Sequence, residues 1–179
     1  LVIWANQLGL KGIDSTKYRD EMASIGVLAH AMVLAELQGE TVDTSDYSKE
    51  QIDKAENCLL SWLEWRKGKA LKPIVVEQAL VSETLSVGGT VDFLGYVNGV
   101  LTLMDYKTGG IFKESYIQTC AYRGLLIENG YLPAEKITIL GIPRTVDDKF
   151  QEVTYSEFAT GWDIFCHLVA IYRPLQKLK

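Results

Sequence analysis

Apolar residues recur every three or four positions from Met22 to Leu37, which predicts an amphipathic helix, and Gly39 supplies its stop. Ser48 offers a cap for a second helix, with Glu50 and Gln51 in its first turn. Its stripe is Ile52, Ala55, Leu59, Trp62 and Leu63, and Gly68 closes it. The pattern then changes. Ile74-Val75-Val76-Glu77 opens a β region after Pro73, and Val81 to Thr84 either continues that strand or returns from it. Asn98-Gly99 joins two long apolar runs, the strongest short signal for a hairpin. Alternation places Val91, Phe93, Val97, Val100 and Met104 on one face and Leu94, Tyr96, Leu101 and Leu103 on the other. Strands apolar on both faces are covered on both sides and belong at the sheet centre. After Gly109-Gly110 the pattern predicts a helix from about Ser115 to Glu128, then strands at Lys136 to Ile142 and Glu152 to Tyr155. A last helix begins near Ser156, with Phe158, Trp162, Phe165, Leu168, Val169 and Tyr172 on its buried side. The order predicts an α/β fold with a central mixed sheet flanked by helices. The 179 residues suit a single domain: a helical part over 1–70, a sheet core over 73–155 and a C-terminal helix over 156–173.

The hairpin carries the chemistry. A two-residue turn at 98 and 99 pairs residues whose numbers sum to 197, so Asp92 falls opposite Asp105. Directly opposed side chains have Cβ atoms roughly 4.5–5.5 Å apart, and like charges there repel unless something positive lies between them. A divalent cation that favours carboxylate oxygen, Mg²⁺ or Mn²⁺, meets that need. Alternation puts Lys107 on the face of Asp105, opposite Thr90. In phosphodiester hydrolysis, carboxylates hold the ions that activate water, and a lysine can orient that water and stabilise the pentacoordinate state. The plainer reading is an ion cluster at the hairpin base. Apolar neighbours Val91, Phe93 and Leu103 weigh against it.

Other residues add less. Gln118 and Tyr122, four apart on a helix, share a face. His30 lies among Ala29, Ala31 and Met32, where a lone histidine is ordinarily a satisfied core residue, and His167 has no assigned role. Glu77 or Glu83 could add a carboxylate, Glu77 being the better placed. Lys113, Arg123, Arg144 and Lys149 could offer phosphate contacts, although solvated surface charge is the default for each.

Composition narrows the classes. The apolar and charged shares are those of a soluble globular chain, and no apolar run reaches membrane-spanning length. The opening Leu1-Val2-Ile3-Trp4 is too short and lacks the basic lead of a signal peptide. Cys58, Cys120 and Cys166 are dispersed, which predicts buried thiols in a reducing, cytoplasmic setting. The net charge of −5 supplies no general basic field for nucleic acid, so any such contact rests on a local patch. Phosphate-loop and dinucleotide fingerprints are absent.

Three segments together, Gly89-Thr90-Val91-Asp92, Met104-Asp105-Tyr106-Lys107-Thr108 and Gln118-Thr119-Cys120-Ala121-Tyr122, resemble the PD-(D/E)XK nuclease superfamily. The likeness is to its RecB-like exonuclease branch, which includes phage-type and CRISPR-associated relatives. Gly26-Val27-Leu28-Ala29-His30 resembles the helix histidine of that branch. The resemblance implies a restriction-endonuclease-like core. It implies that Asp92, Asp105, His30 and the backbone carbonyl of Tyr106 ligate Mg²⁺ or Mn²⁺. It further implies that Lys107 activates water and that Gln118 and Tyr122 support the site and touch the DNA backbone. Some members carry a four-cysteine iron–sulfur cluster; the cysteines here do not fit one, so none is expected.

The expected activity is thus that of a metal-dependent DNA nuclease, an exonuclease in the branch it resembles, serving recombination, repair or phage DNA processing. The expected partners are DNA, further copies of the chain or a recombination or repair protein, and no membrane. The alternative is a non-cleaving DNA-binding or structural module of a larger complex.

Overall fold

A computed structural model describes residues 2–178. Helix α1 (Val2–Leu10) precedes α2 (Ser15–Gln38) and α3 (Lys49–Arg66). Local signals set the ends of the two long helices. Asp14 caps α2 by accepting from the amides of Thr16 and Lys17, and Gly39 ends it in the left-handed conformation. Ser48 and Gln51 form a reciprocal capping box on α3. Helix α1 was not separately anticipated: it is largely apolar without a clear stripe, and Gly12 ends it in the left-handed conformation with the Ile13 amide bonded to the Leu8 carbonyl.

Strands β1 (Leu71–Ser82), β2 (Val87–Val97), β3 (Val100–Lys107), β4 (Lys136–Gly141) and β5 (Gln151–Tyr155) form one sheet in sequence order. β3 and β4 run parallel and every other pair antiparallel, so the sheet is mixed with β3 at its centre. The α/β expectation holds. Val81 continues β1 and does not open a return strand; the return comes after a turn at residues 83–86. Pro73 lies inside β1, at the irregularity between Pro73 and Val75, where a strand tolerates a missing donor. Asn98 and Gly99 both take positive φ (49° and 85°), as a type I′ turn requires.

The α2–α3 pair covers one face of the sheet, burying Leu28, Val33, Cys58 and Trp62 against Phe93, Met104 and Tyr106. Helix α4 (Lys113–Glu128) covers the other, with Cys120, Leu125 and Leu126 against Val91, Leu94, Leu103 and Ile139. Helix α5 (Ala159–Leu175) packs on α4. It begins at Ala159 and not near Ser156, and the predicted buried side holds only over its first half. Trp162 and Phe165 are half-buried, but Leu168 is 51% and Tyr172 61% exposed, because α5 rests on another helix and not on the sheet.

One rung departs from regular pairing. On β2, Phe93 packs with the α2–α3 cluster and Val91 with the α4 cluster. On β1, Val76 and Leu80 divide the same way. Residues two or four apart should share a face. Both strands therefore exchange faces between these positions, while the pairing register on either side (Val76 with Phe93, Gln78 with Val91) is unchanged. This corrects the expectation that Val91 and Phe93 share a face. The rung between holds Glu77 and Asp92, and Glu77 has φ 48°, a conformation that costs a non-glycine residue about 1–2 kcal/mol.

Candidate metal centre

The sheet brings its ionisable groups to the point where the β2–β3 ladder ends. Regular pairing follows the predicted sum of 197 from Val97–Val100 to Phe93–Met104 and stops there. Asp92 and Asp105 would form the next rung. Instead the Asp92 carboxylate reaches across, and its Oδ2 accepts the Tyr106 amide at 2.7 Å. Neither the direct opposition of Asp92 and Asp105 nor that of Lys107 and Thr90 belongs to the regular ladder. Thr90 pairs with Ala79, and Lys107 with Gly141 on β4.

Helix α2 supplies the third wall. Gly26 lets it approach the end of β3; a Cβ there would lie 3.3 Å from Thr108 Oγ1. One turn later, His30 stands edge-on to the Tyr106 ring. Its Nε2 donates to the Tyr106 carbonyl at 3.0 Å, since a carbonyl can only accept. That fixes the tautomer and turns Nδ1 toward Glu77 Oε1 at 3.5 Å and Asp92 Oδ1 at 3.6 Å. One ligand atom from each of His30, Glu77 and Asp92 lies within 4.8 Å of the others. The group borders a cleft of about 440 Å³ lined by Gly26, Val27, Ala31 and Leu34.

Asp105, buried beside this group, faces Lys107. Its Oδ1 accepts from Lys107 Nζ at 3.1 Å, while Oδ2, 2.8 Å from the same nitrogen, lies outside hydrogen-bonding angles and is left buried without a donor. Lys107 also donates to Gln118 Oε1 at 2.9 Å, and Gln118 Nε2 donates to the Tyr122 hydroxyl at 2.7 Å. Gly89 makes room for that tyrosine: a Cβ there would fall 2.6 Å from the ring. Asp105, Lys107, Gln118 and Tyr122 thus form one continuous polar chain from β3 to α4.

Burial dominates the electrostatics. It pushes the Asp92 carboxyl up to about 7, against the pull of His30, and the nearby Asp105 adds to the rise. Asp105 is likewise raised by burial, with Lys107 opposing. Burial alone would lower His30, but Glu77 and Asp92 outweigh it and the net shift is upward. Each shift records the same need: too much negative charge, too little water, and either a proton or a cation to balance it.

These residues fit a divalent cation. His30 Nδ1 directs its lone pair at two carboxylates, an arrangement that repels unless a proton or metal intervenes, while buried Asp105 already has the Lys107 ammonium 2.8 Å from its Oδ2. Glu77, ranked second from sequence, is as close to His30 as Asp92 is. No sequence signal marks its φ or its partner. Glu83 sits exposed in the β1–β2 turn, five rungs away. Of the basic residues, Arg123 is committed to the Ala134 carbonyl and the Phe158 ring. Arg144 and Lys149 line a small polar hollow with Thr108, Gly109 and Gly110. His167 is exposed and bonded to its own helix at Asp163. Cys58 and Cys120 are buried on opposite sides of the sheet.

No family model matches the chain, and no curated protein matches it. Among solved structures, it is similar to a crystal structure from Eubacterium rectale described as a candidate exonuclease. The identity is 11% and the TM-score 0.53; the match covers 84% of this chain and 65% of that one. This chain therefore spans about two-thirds of its neighbour's length. The likeness supports the restriction-endonuclease-like arrangement of sheet and helices. Among the described residues no helix is long and apolar enough to cross a membrane.

Proposed function

We infer that this protein is a metal-dependent deoxyribonuclease of exonuclease type, its centre built from His30, Glu77, Asp92 and Asp105 with Lys107 beside them. One observation carries the reading: ligand atoms of His30, Glu77 and Asp92 converge within 4.8 Å, and buried Asp105 close by is paired with a lysine that Gln118 also holds. His30 Nδ1, Asp92 and Glu77 would hold Mg²⁺ or Mn²⁺, with Asp105 nearby; the Tyr106 carbonyl, expected as a ligand, instead accepts from His30 Nε2 on the far side of the ring. A bound cation would supply positive charge to the phosphate and acidify a water.

The chain's own groups do the rest. Lys107 has three ammonium hydrogens, and Asp105 and Gln118 take two. The third is free to orient the attacking water or to donate to a phosphate oxygen as charge grows there. Gln118, tied to Tyr122, gives the lysine a second fixed partner besides Asp105. Asp92 holds the Tyr106 amide, so the end of β3 stays fixed as substrate enters. DNA recombination, repair and phage DNA processing are the settings such chemistry serves.

The test uses end-labelled linear and closed circular DNA with Mg²⁺, Mn²⁺ or EDTA. We expect loss of linear DNA with circles spared, abolished by EDTA. Lys107→Ala and Asp105→Ala should each lower the rate by about 10²–10⁴-fold, with the circular dichroism spectrum unchanged. Full activity in both folded variants would overturn the assignment. DNA binding in EDTA with no cleavage under any metal would favour the non-cleaving module.

A further inference from the structure

A further cavity, of about 710 Å³, opens beside the polar chain, between Trp4 of α1 and the start of α4. Trp4, Phe112, Glu114, Ser115 and Gln118 line it. Its volume falls in the roughly 300–1,000 Å³ range of small-molecule sites. Phe112 is 66% exposed, an unusual position for a phenylalanine without a partner surface. Its ring lies beside Gly110, where a Cβ would come within 3.1 Å of it. Trp4 is braced by Tyr18, their ring centroids 6.1 Å apart. The cavity thus presents two aromatic surfaces.

We propose that this cavity receives an unpaired nucleobase of the DNA, next to the phosphate that reaches Lys107, so that the substrate is a single strand or a frayed end. The proposal rests on the nuclease reading. Three observations select a base as the occupant. Aromatic side chains stack on any base face, irrespective of sequence. Among the described lining residues the ionisable one is Glu114, which repels a phosphate but can accept from a base amino group. Gln118 lines the cavity and also accepts from Lys107 at 2.9 Å, so the cavity and the polar chain share a side chain. A base in a duplex is stacked on its neighbours and cannot occupy such a cavity without leaving the stack.

The experiment uses oligonucleotides carrying 2-aminopurine at the terminal position, as single strands and as blunt duplexes, with wild-type protein in EDTA. Stacking quenches that fluorophore. We expect quenching on the single strand. Phe112→Leu, which keeps apolar bulk without a ring face, and Trp4→Ala should each weaken single-strand binding by about 5- to 150-fold. Phe112→Trp should retain it. With metal, both weakened variants should lose their preference for single-stranded over blunt-ended DNA, an effect that a merely structural role would not produce. Wild-type binding in Phe112→Leu and Trp4→Ala, with cleavage intact, would overturn the stacking site and leave the nuclease standing. Failure of every DNA form to bind or be cut would overturn both.

Discussion

At the scale of single residues, Lys107 is held from two sides. Asp105 takes one hydrogen and Gln118 another, and Gln118 is in turn held by Tyr122. Gly89 permits this because only a residue without a Cβ leaves space for the Tyr122 ring. Gly89→Ala should therefore displace Tyr122, release Gln118 and lower the cleavage rate on the order of 10–10²-fold, though residue 89 touches no reacting atom. Rates measured beside Tyr122→Phe, which loses only the hydroxyl, would check this; an unchanged Gly89→Ala rate would show that the chain is idle. Much of this was legible beforehand. Turn arithmetic drew attention to Asp92, Asp105 and Lys107, although the ladder ends one rung before the pairing it predicts, and helical spacing put Gln118 and Tyr122 on one face. Glu77 was harder to place, because Ile74-Val75-Val76-Glu77 reads as ordinary strand and its positive φ has no sequence signature.

At the scale of elements, caps made the helices legible. Ser48 with Gln51, and Gly39, mark ends of α3 and α2 that periodicity alone leaves vague. Helix α5 shows where periodicity fails: its stripe was read as buried from Phe158 to Tyr172, and Leu168 and Tyr172 are exposed because the helix packs on α4. That contact depends on closely approaching glycines. A Cβ on Gly124 would overlap the Trp162 ring, and one on Gly161 would crowd Cys120 and Tyr116. Gly124→Ala should cost about 1–3 kcal/mol through overpacking, read as a lower urea midpoint with unchanged slope. Cleavage per folded molecule should stay at the wild-type level, since the Lys107 chain does not pass through α5. A variant as stable as wild type would mean that α5 seats itself elsewhere.

At the scale of the whole molecule, the centre links stability to pH and to metal. Asp92 is raised from 3.8 to about 7 in the folded state, so the folded chain binds more protons than the unfolded one across that interval. Stability then falls as pH rises through it. His30 acts in the same direction: its pKa is raised above 6.5, and its contribution is present below that value and lost as pH climbs through the folded value. In EDTA the melting midpoint should drop between pH 5 and pH 8. Mn²⁺ should restore it, more at pH 8 than at pH 5, because the cation replaces protons that are no longer there. A midpoint that rises with pH in EDTA would refute this balance. The net charge of −5 makes such compensation more necessary, as no basic field surrounds the acidic group.

The exchange of faces at the Glu77–Asp92 rung has a consequence for how this hairpin can vary. Because both strands turn over together at Glu77–Asp92 and keep their register across it, the β1–β2 ribbon divides at that joint into an inner part, which also carries the Pro73–Val75 irregularity, and an outer part. The inner ribbon, from Leu71 to Val76 and Phe93 to Val97, pairs with β3 and packs on both helical layers; the outer one, from Gln78 to Val91, lies on the α4–α5 side. A matched pair of residues gained or lost near the Ser82–Val87 end would alter the outer ribbon's length without moving the joint. Length and chemistry are thereby uncoupled, and the outer ribbon is free to be tailored to a new partner while the acidic rung keeps its place.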